Sequence, residues 1–186
     1  LFQKLHPEIE LEFVANDRFV SLSKREADLS ITLERPKSGR LISKKLTDYT
    51  LRLYASQDYL KNHPPIRTMD DLSNHNFISY IEELVPDPQM LYLAEFVSSP
   101  KIALKSSSIV FQFQATLNGA GLSIVHCFVA NQHPELICLL PNEIEVKRTF
   151  WLNTPEDIHD LARIKAVTQF LTNLVESKRK MLLGIT

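Results

Sequence analysis

The sequence predicts an α/β protein with largely parallel sheets covered on both faces, and three observations carry that expectation. Short apolar runs of the kind buried strands use recur from end to end and alternate with segments of helical period. Apolar residues make up 44% of the 186 and charged residues 23%, with ten Phe, five Tyr and one Trp to fill a core, which is the balance of a folded globular chain. That length suits one domain or two small lobes around separate cores. The longest apolar stretches fall far short of the roughly 20 residues that a bilayer crossing needs, and Leu1–Glu10 lacks the pattern of a secretory signal. The fragment therefore reads as soluble.

Taken in order, Leu1, Phe2 and Leu5 share a helical face before Pro7, so the chain reads as starting mid-element. Ile9–Val14 alternates apolar and acidic residues as a half-exposed strand does, and Asn16 or Asp17 can cap a helix reaching about Ala27. Asp28–Leu33 reads as a strand and Glu34–Gly39 as a turn-rich loop. Leu41–Leu46 and Leu51–Ala55 read as two extended segments separated by Thr47-Asp48-Tyr49. Short helices follow at Gln57–Asn62 and Met69–Ser73, then a strand at Phe77–Ile81 and a helix at Pro86–Val97 opened by prolines.

Lys101–Lys105 alternates as a strand, and Ser106-Ser107-Ser108 offers successive N-cap oxygens to a helix running to about Asn118, with Ile109, Phe113, Thr116 and Leu117 on one face. Gly119 is the left-handed cap that ends it. Leu122–Val125 is a short buried strand, Cys127–Gln132 a helical turn, and Ile137–Leu140 and Glu145–Asn153 further strands. Thr154 as N-cap, Pro155, Glu156 and Asp157 in the first turn and Lys178–Lys180 near the last place the final helix at about 156 to 180.

Composition excludes several classes of function. Twenty-one Lys and Arg against 22 Asp and Glu leave a net charge of -1, which gives no general attraction to nucleic acid or anionic membrane. With only four glycines, no GxGxxG or GxxxxGK[ST] loop exists. His126, Cys127, His133 and Cys138 match no zinc spacing, and no GxSxG elbow is present. The acids Glu82, Glu83 and Asp87 read as a solvated loop. No catalytic residue, metal ligand or cofactor is assigned. Two cysteines fit a reducing, cytoplasmic compartment, with a single bridge as the other option. The serine run has two readings. It either caps the helix or presents unpaired N–H groups and a partial positive charge to a bound anion, and capping explains at most two of the three hydroxyls.

Several strings resemble the effector-binding domain of LysR-type transcriptional regulators, in the family's order and across essentially the whole chain. Glu26-Ala27-Asp28-Leu29-Ser30-Ile31 looks like the strand "xaDlaI". Gly39–Leu46 is similar to "sgLvarrL", Leu53–Leu60 to "vlvAsPaYL", Asp71–His75 to "DLaxH", and Gly119–Ile124 to "GxGialLP".

The resemblance implies two Rossmann-like lobes with a hinge, of the type-2 periplasmic-binding-protein kind, and a small-molecule site in the cleft between them. Lobe one is expected at residues 1–50 plus 149–186 and lobe two at 51–148, with the crossovers at Leu51–Ala55 and Val146–Asn153. A winged helix-turn-helix, a linker helix and the first strand of lobe one are expected ahead of Leu1, so DNA is contacted only by residues outside this sequence. The family's cleft positions fall on Thr32, Glu34 and Arg35 in lobe one and on Ser107, Ser108, Ile109, Val125 and His126 in lobe two. Arg35 is either a solvated loop cation or an anion partner. His126, where the family often has proline, is either a ligand contact or a neutral replacement. The partners implied are a small, anionic effector and a second copy of the chain, with a tetramer for the full-length regulator and Leu11 and Phe13 as exposed apolar candidates for the contact. A periplasmic solute receptor shares the fold, and the residues preceding Leu1 separate the two: a helix-turn-helix marks regulation, a hydrophobic signal transport.

Overall fold

The structure is a computed structural model that describes residues 1–14 and 26–185. Its strands are β1 (Ser30–Thr32), β2 (Leu41–Ser56), β3 (Asn76–Ser79), β4 (Lys101–Lys105), β5 (Ser123–His126), β6 (Leu136–Leu139) and β7 (Glu145–Pro155). Its α-helices are α1 (Phe2–Leu5), α2 (Gln57–Lys61), α3 (Ile109–Leu117), α4 (Cys127–Ala130), α5 (Ala162–Ser177) and α6 (Arg179–Leu182). The chain forms two compact units, Leu1–Asp48 with Arg148–Arg179, and Tyr49–Lys147 with Lys180–Thr186. It passes from one to the other within β2, within β7, and again after Arg179.

In the first unit β1 pairs antiparallel with the end of β7, Ser30 opposite Asn153 and Thr32 opposite Trp151. Phe2 of α1 is buried and meets Phe170 of α5 edge to face at 5.2 Å, and Ile164 of α5 is buried as well. In the second unit β2 pairs antiparallel with β5 and with β6. β3 and β4 are parallel. Leu122, just ahead of β5, bridges in parallel to Phe77, with Ile78 N donating to Leu122 O at 2.8 Å and Leu122 N to Asn76 O at 2.9 Å. The carboxyl ends of β3, β4 and β5 therefore lie at one edge of this unit. Apolar side chains fill the interior around Tyr54, Phe113, Val125, Cys127, Ala130 and Leu136.

Five expectations are corrected. The sheets are not largely parallel: every β1–β7, β2–β5 and β2–β6 pair is antiparallel, because the long strands β2 and β7 run through both units. Residues 9–14 form no strand. They have the alternation, but no ladder partner among the described residues, and Phe13 is 88% exposed. The helix placed from Asn16 or Asp17 to about Ala27 lies mostly outside the described residues. Thr47-Asp48-Tyr49 does not interrupt β2. The polar groups that suggested a turn are satisfied inside the sheet, Asp48 accepting from Thr149 Oγ1 at 2.6 Å and Lys45 Nζ at 2.7 Å. Residues 86–97 hold two 3₁₀ turns instead of an α-helix, the first capped by Asp87, which accepts from Gln89 N.

The fifth correction concerns the last long helix. α5 begins at Ala162, with Leu161 as an N-cap that makes no side-chain cap bond. Thr154 and Pro155 are instead the buried end of β7, and Glu156 N donates to Arg40 O, so the backbone groups a helix would use are taken by strand pairing. By contrast the end of α3 is as read from sequence. Gly119, at φ +79°, follows the cap Asn118, its N–H donating to Thr116 O and that of Ala120 to Ala115 O, the paired bonds of a Schellman motif.

Candidate functional site

The carboxyl edge of the parallel strands in the second unit carries the most functional groups. β4 ends at Lys105 and the chain turns through Ser106–Ser108 into α3, with Ser106 N donating to Ser79 O at the end of β3. The three serines have different roles. Ser106 Oγ accepts from Ser108 N at 3.1 Å, and Ser108 Oγ is the N-cap, accepting from Phe111 N at 3.4 Å. Gln112, buried and absent from the sequence reading, fixes the turn by donating to Ser106 O at 2.9 Å. Capping thus uses two hydroxyls and leaves that of half-buried Ser107, beside the first-turn amides of Ile109 and Val110, which have no intrahelical acceptor. Ile109 is half-buried, and Val110 and Phe111 present apolar surface next to these donors.

At the same edge, β5 delivers Val125 and His126. Val125 is a core residue, packed with Tyr54, Phe113 and Cys127. Only His126 of the pair offers a side chain toward the surface. Its ring stacks on buried Tyr49 at 5.3 Å between centroids and lies 5.0 Å from tilted Phe128. Although part of the residue remains accessible, the surrounding protein desolvates the imidazole and pushes its pKa down to about 4, so it is neutral at physiological pH and acts as a polar aromatic surface. Leu51, opposite His126 in the ladder, and Arg52, which donates to Glu145 Oε1 at 2.8 Å, hold the neighbouring strand in place.

The first unit carries Thr32, Glu34 and Arg35 at the end of β1. Thr32 Oγ1 donates to Glu34 O at 2.6 Å and accepts from Asn153 Nδ2 at 3.0 Å, so its proton is engaged within the protein. The guanidinium of Arg35 lies 5.7 Å from the ring centroid of Trp151, a cation–π contact. Asn153 is fully buried between Ser30 and Thr32, with Oδ1 lacking a hydrogen-bond partner. Neither Asn153 nor Trp151 was legible as a site residue, since a single Asn in an apolar strand carries no spacing signal. Glu82, which meets Lys105 at 3.7 Å, and Glu83 are exposed as read, whereas Asp87 is not solvated but buried, its carboxylate taken up in capping. Both cysteines are free thiols. Among the described residues no group of His, Cys, Asp and Glu is placed to hold a metal, and no helix is long and apolar enough to cross a membrane.

A family model described as the LysR substrate binding domain matches residues 1–176. The chain belongs to this family. The resemblance of the five strings to LysR regulators is thereby borne out, and the solved structures agree on the fold. The regulatory domain of CrgA, a LysR-type transcriptional regulator from Neisseria meningitidis, aligns at TM-score 0.80 with 22% identity over 93% of this chain and 87% of that one. The effector domain of AmpR from Pseudomonas aeruginosa aligns at 0.72 with 16% identity, covering 96% and 87%. Full-length AphB from Vibrio cholerae aligns at TM-score 0.74 with 17% identity, over 92% of this chain and 60% of that one. A search of curated protein sequences returns no match. The LysR domain accordingly has the type-2 periplasmic-binding-protein-like fold.

Proposed function

We propose that this LysR domain senses a small anionic metabolite through Ser107, the first-turn amides of α3 and His126 in the second unit, and that Arg35 and the Thr32–Glu34 turn are, taken by themselves, the anion-facing groups of the first unit. The observation that carries the reading is the division of labour at the serine run, where capping uses Ser106 and Ser108 and leaves Ser107 with two backbone donors at the start of a nine-residue helix. Fixed N–H donors at a helix start favour an anion without burying a lysine, and carboxyl edges of parallel strands are where ligands of such folds bind. Regulation is favoured over solute transport because the family match is to a LysR domain. The parent protein then contacts DNA through residues outside this chain and works in the cytoplasm.

The test is a thermal-shift screen of carboxylates and phosphates. A ligand at about 100 times its dissociation constant stabilises the fold by about 2.7 kcal/mol, a rise in Tm of about 5 to 10 °C for a chain of this size. Replacing Ser107 and Ser108 together by Ala is expected to weaken binding about tenfold or more, the scale of one hydrogen bond to a charged group. Hits whose affinity ignores that double substitution would refute the helix-start mechanism while leaving the regulatory reading in place.

The reading also includes a homodimer. Of the two apolar candidates for the contact, Phe13 is exposed and Leu11 is half-buried, and a stable two-fold contact needs roughly 1,200 Å² of buried surface. Sedimentation at tens of micromolar is expected to give a dimer; a monomer at that concentration removes the proposal.

A further inference from the structure

The last described residues make a contact that the effector reading does not use. After α5 the chain passes from the first unit into the second, where α6 and the turn behind it run to Ile185. This segment closes on itself through Gly184 N donating to Met181 O at 3.1 Å and Ile185 N to Lys180 O at 2.9 Å. Gly184 sits at φ +65°, and a Cβ built there would stand 2.8 Å from Cys127 Cβ and 3.0 Å from its Sγ. Only a residue without a side chain brings the backbone this close, and Cys127 is 1% exposed beneath it.

Cys127 is the first residue of α4, whose N-cap is His126, and it packs in the core beside Val125 and Tyr54. We propose that residues 180–185 are a positioning element for the effector site: seated on Cys127 through Gly184, they brace the β5–α4 corner and so hold the ring of His126 on its Tyr49 shelf. The inference rests on the reading of His126 as an effector contact. It also implies that the segment following α5 tunes effector affinity without touching the ligand, because Gly184 packs directly on Cys127, the residue that follows His126.

Two readouts test it without any ligand. The first is the labelling rate of Cys127 by iodoacetamide, followed by mass spectrometry to separate it from Cys138. The second is the titration midpoint of the His126 imidazole by NMR. Gly184→Asn adds a Cβ while tolerating the left-handed backbone, and is expected to raise Cys127 labelling at least tenfold and move the His126 midpoint upward from about 4. Ile164→Val in α5 lowers stability away from the corner and is expected to change neither. Should Gly184→Asn fail to fold, a chain ending at Arg179 is read the same way.

Unchanged labelling overturns the seating of Gly184 on Cys127. Raised labelling with an unmoved His126 midpoint overturns the positioning role and leaves only a cover. Failure of either leaves the effector reading intact, since no ligand enters these measurements; an effector whose affinity ignores His126→Ala would instead refute that part of the effector reading, whatever the labelling shows.

Discussion

Gly121→Ala is expected to destabilise the second unit by about 3 kcal/mol and to lower its Tm by about 6 to 12 °C. A Cβ at this position would lie 2.7 Å from the carbonyl oxygen of Asn76 and 3.3 Å from its carbon. That oxygen accepts from Leu122 N, and Leu122 O accepts from Ile78 N, so the added methyl pushes apart the segment that joins β3 to the strand beside it. Overpacking against backbone costs about 1 to 3 kcal/mol, and each hydrogen bond weakened costs about 1 more. The neighbours cannot yield cheaply, because Phe77 and Leu122 are both fully buried. Differential scanning calorimetry of the two proteins checks this, and a Tm within about 1 °C of the parent would show that the close approach relaxes at little cost. Effector affinity should fall with it, since β3, β4 and β5 meet at the edge that carries Ser107 and His126.

Acid is expected to weaken the second unit before its carboxylates titrate. Both His126 and His75 are held neutral by desolvation, His126 near 4, and His75 lowered further by its neighbour His63. His75 is fully buried, with Tyr59 Oη 3.3 Å from its Nδ1 and no hydrogen-bond partner at Nε2, so a proton there has no compensating acceptor. Above pH 6.5 folded and unfolded chains are both neutral at these rings and the stability is complete. As pH falls below 6.5 the unfolded chain takes up protons that the folded chain refuses, and stability drops until the folded pKa is reached. For His126 the window from 6.5 to about 4 corresponds to at most about 3 kcal/mol. Urea midpoints at pH 7.0, 5.5 and 4.5 read the effect. His126→Phe, which keeps the stack on Tyr49, is expected to flatten the curve, and an equal pH slope in parent and variant would assign the acid response elsewhere.

Much of the second unit was determined by sequence alone. Lys101–Lys105 alternates and is β4; Ser108 caps and Gly119 ends α3; Leu122, Ile124 and Val125 are apolar and buried. These features are local: a cap bond spans three residues, a left-handed stop needs one glycine, and a buried strand announces itself by composition. The strings resembling LysR regulators also lie mainly in such segments, which is why the family was legible and the match over residues 1–176 agrees.

Tertiary structure decided what depends on a distant partner. Thr154-Pro155-Glu156-Asp157 has every local mark of a helix start, yet Glu156 N finds Arg40 O and the strand wins. Ile9–Val14 has the alternation of a strand and no ladder among the described residues, while Thr47-Asp48-Tyr49 has the polarity of a turn and stays in β2 because Thr149 supplies the hydrogen bond. The same holds at the proposed site. Ser107 and His126 were visible because they sit on local signals, a cap run and a strand end, whereas Asn153, Gln112 and the Gly184–Cys127 contact involve residues that only packing brings together. Backbone groups must be satisfied somewhere, and the nearest residues in sequence supply that partner only when no strand from elsewhere offers a better one.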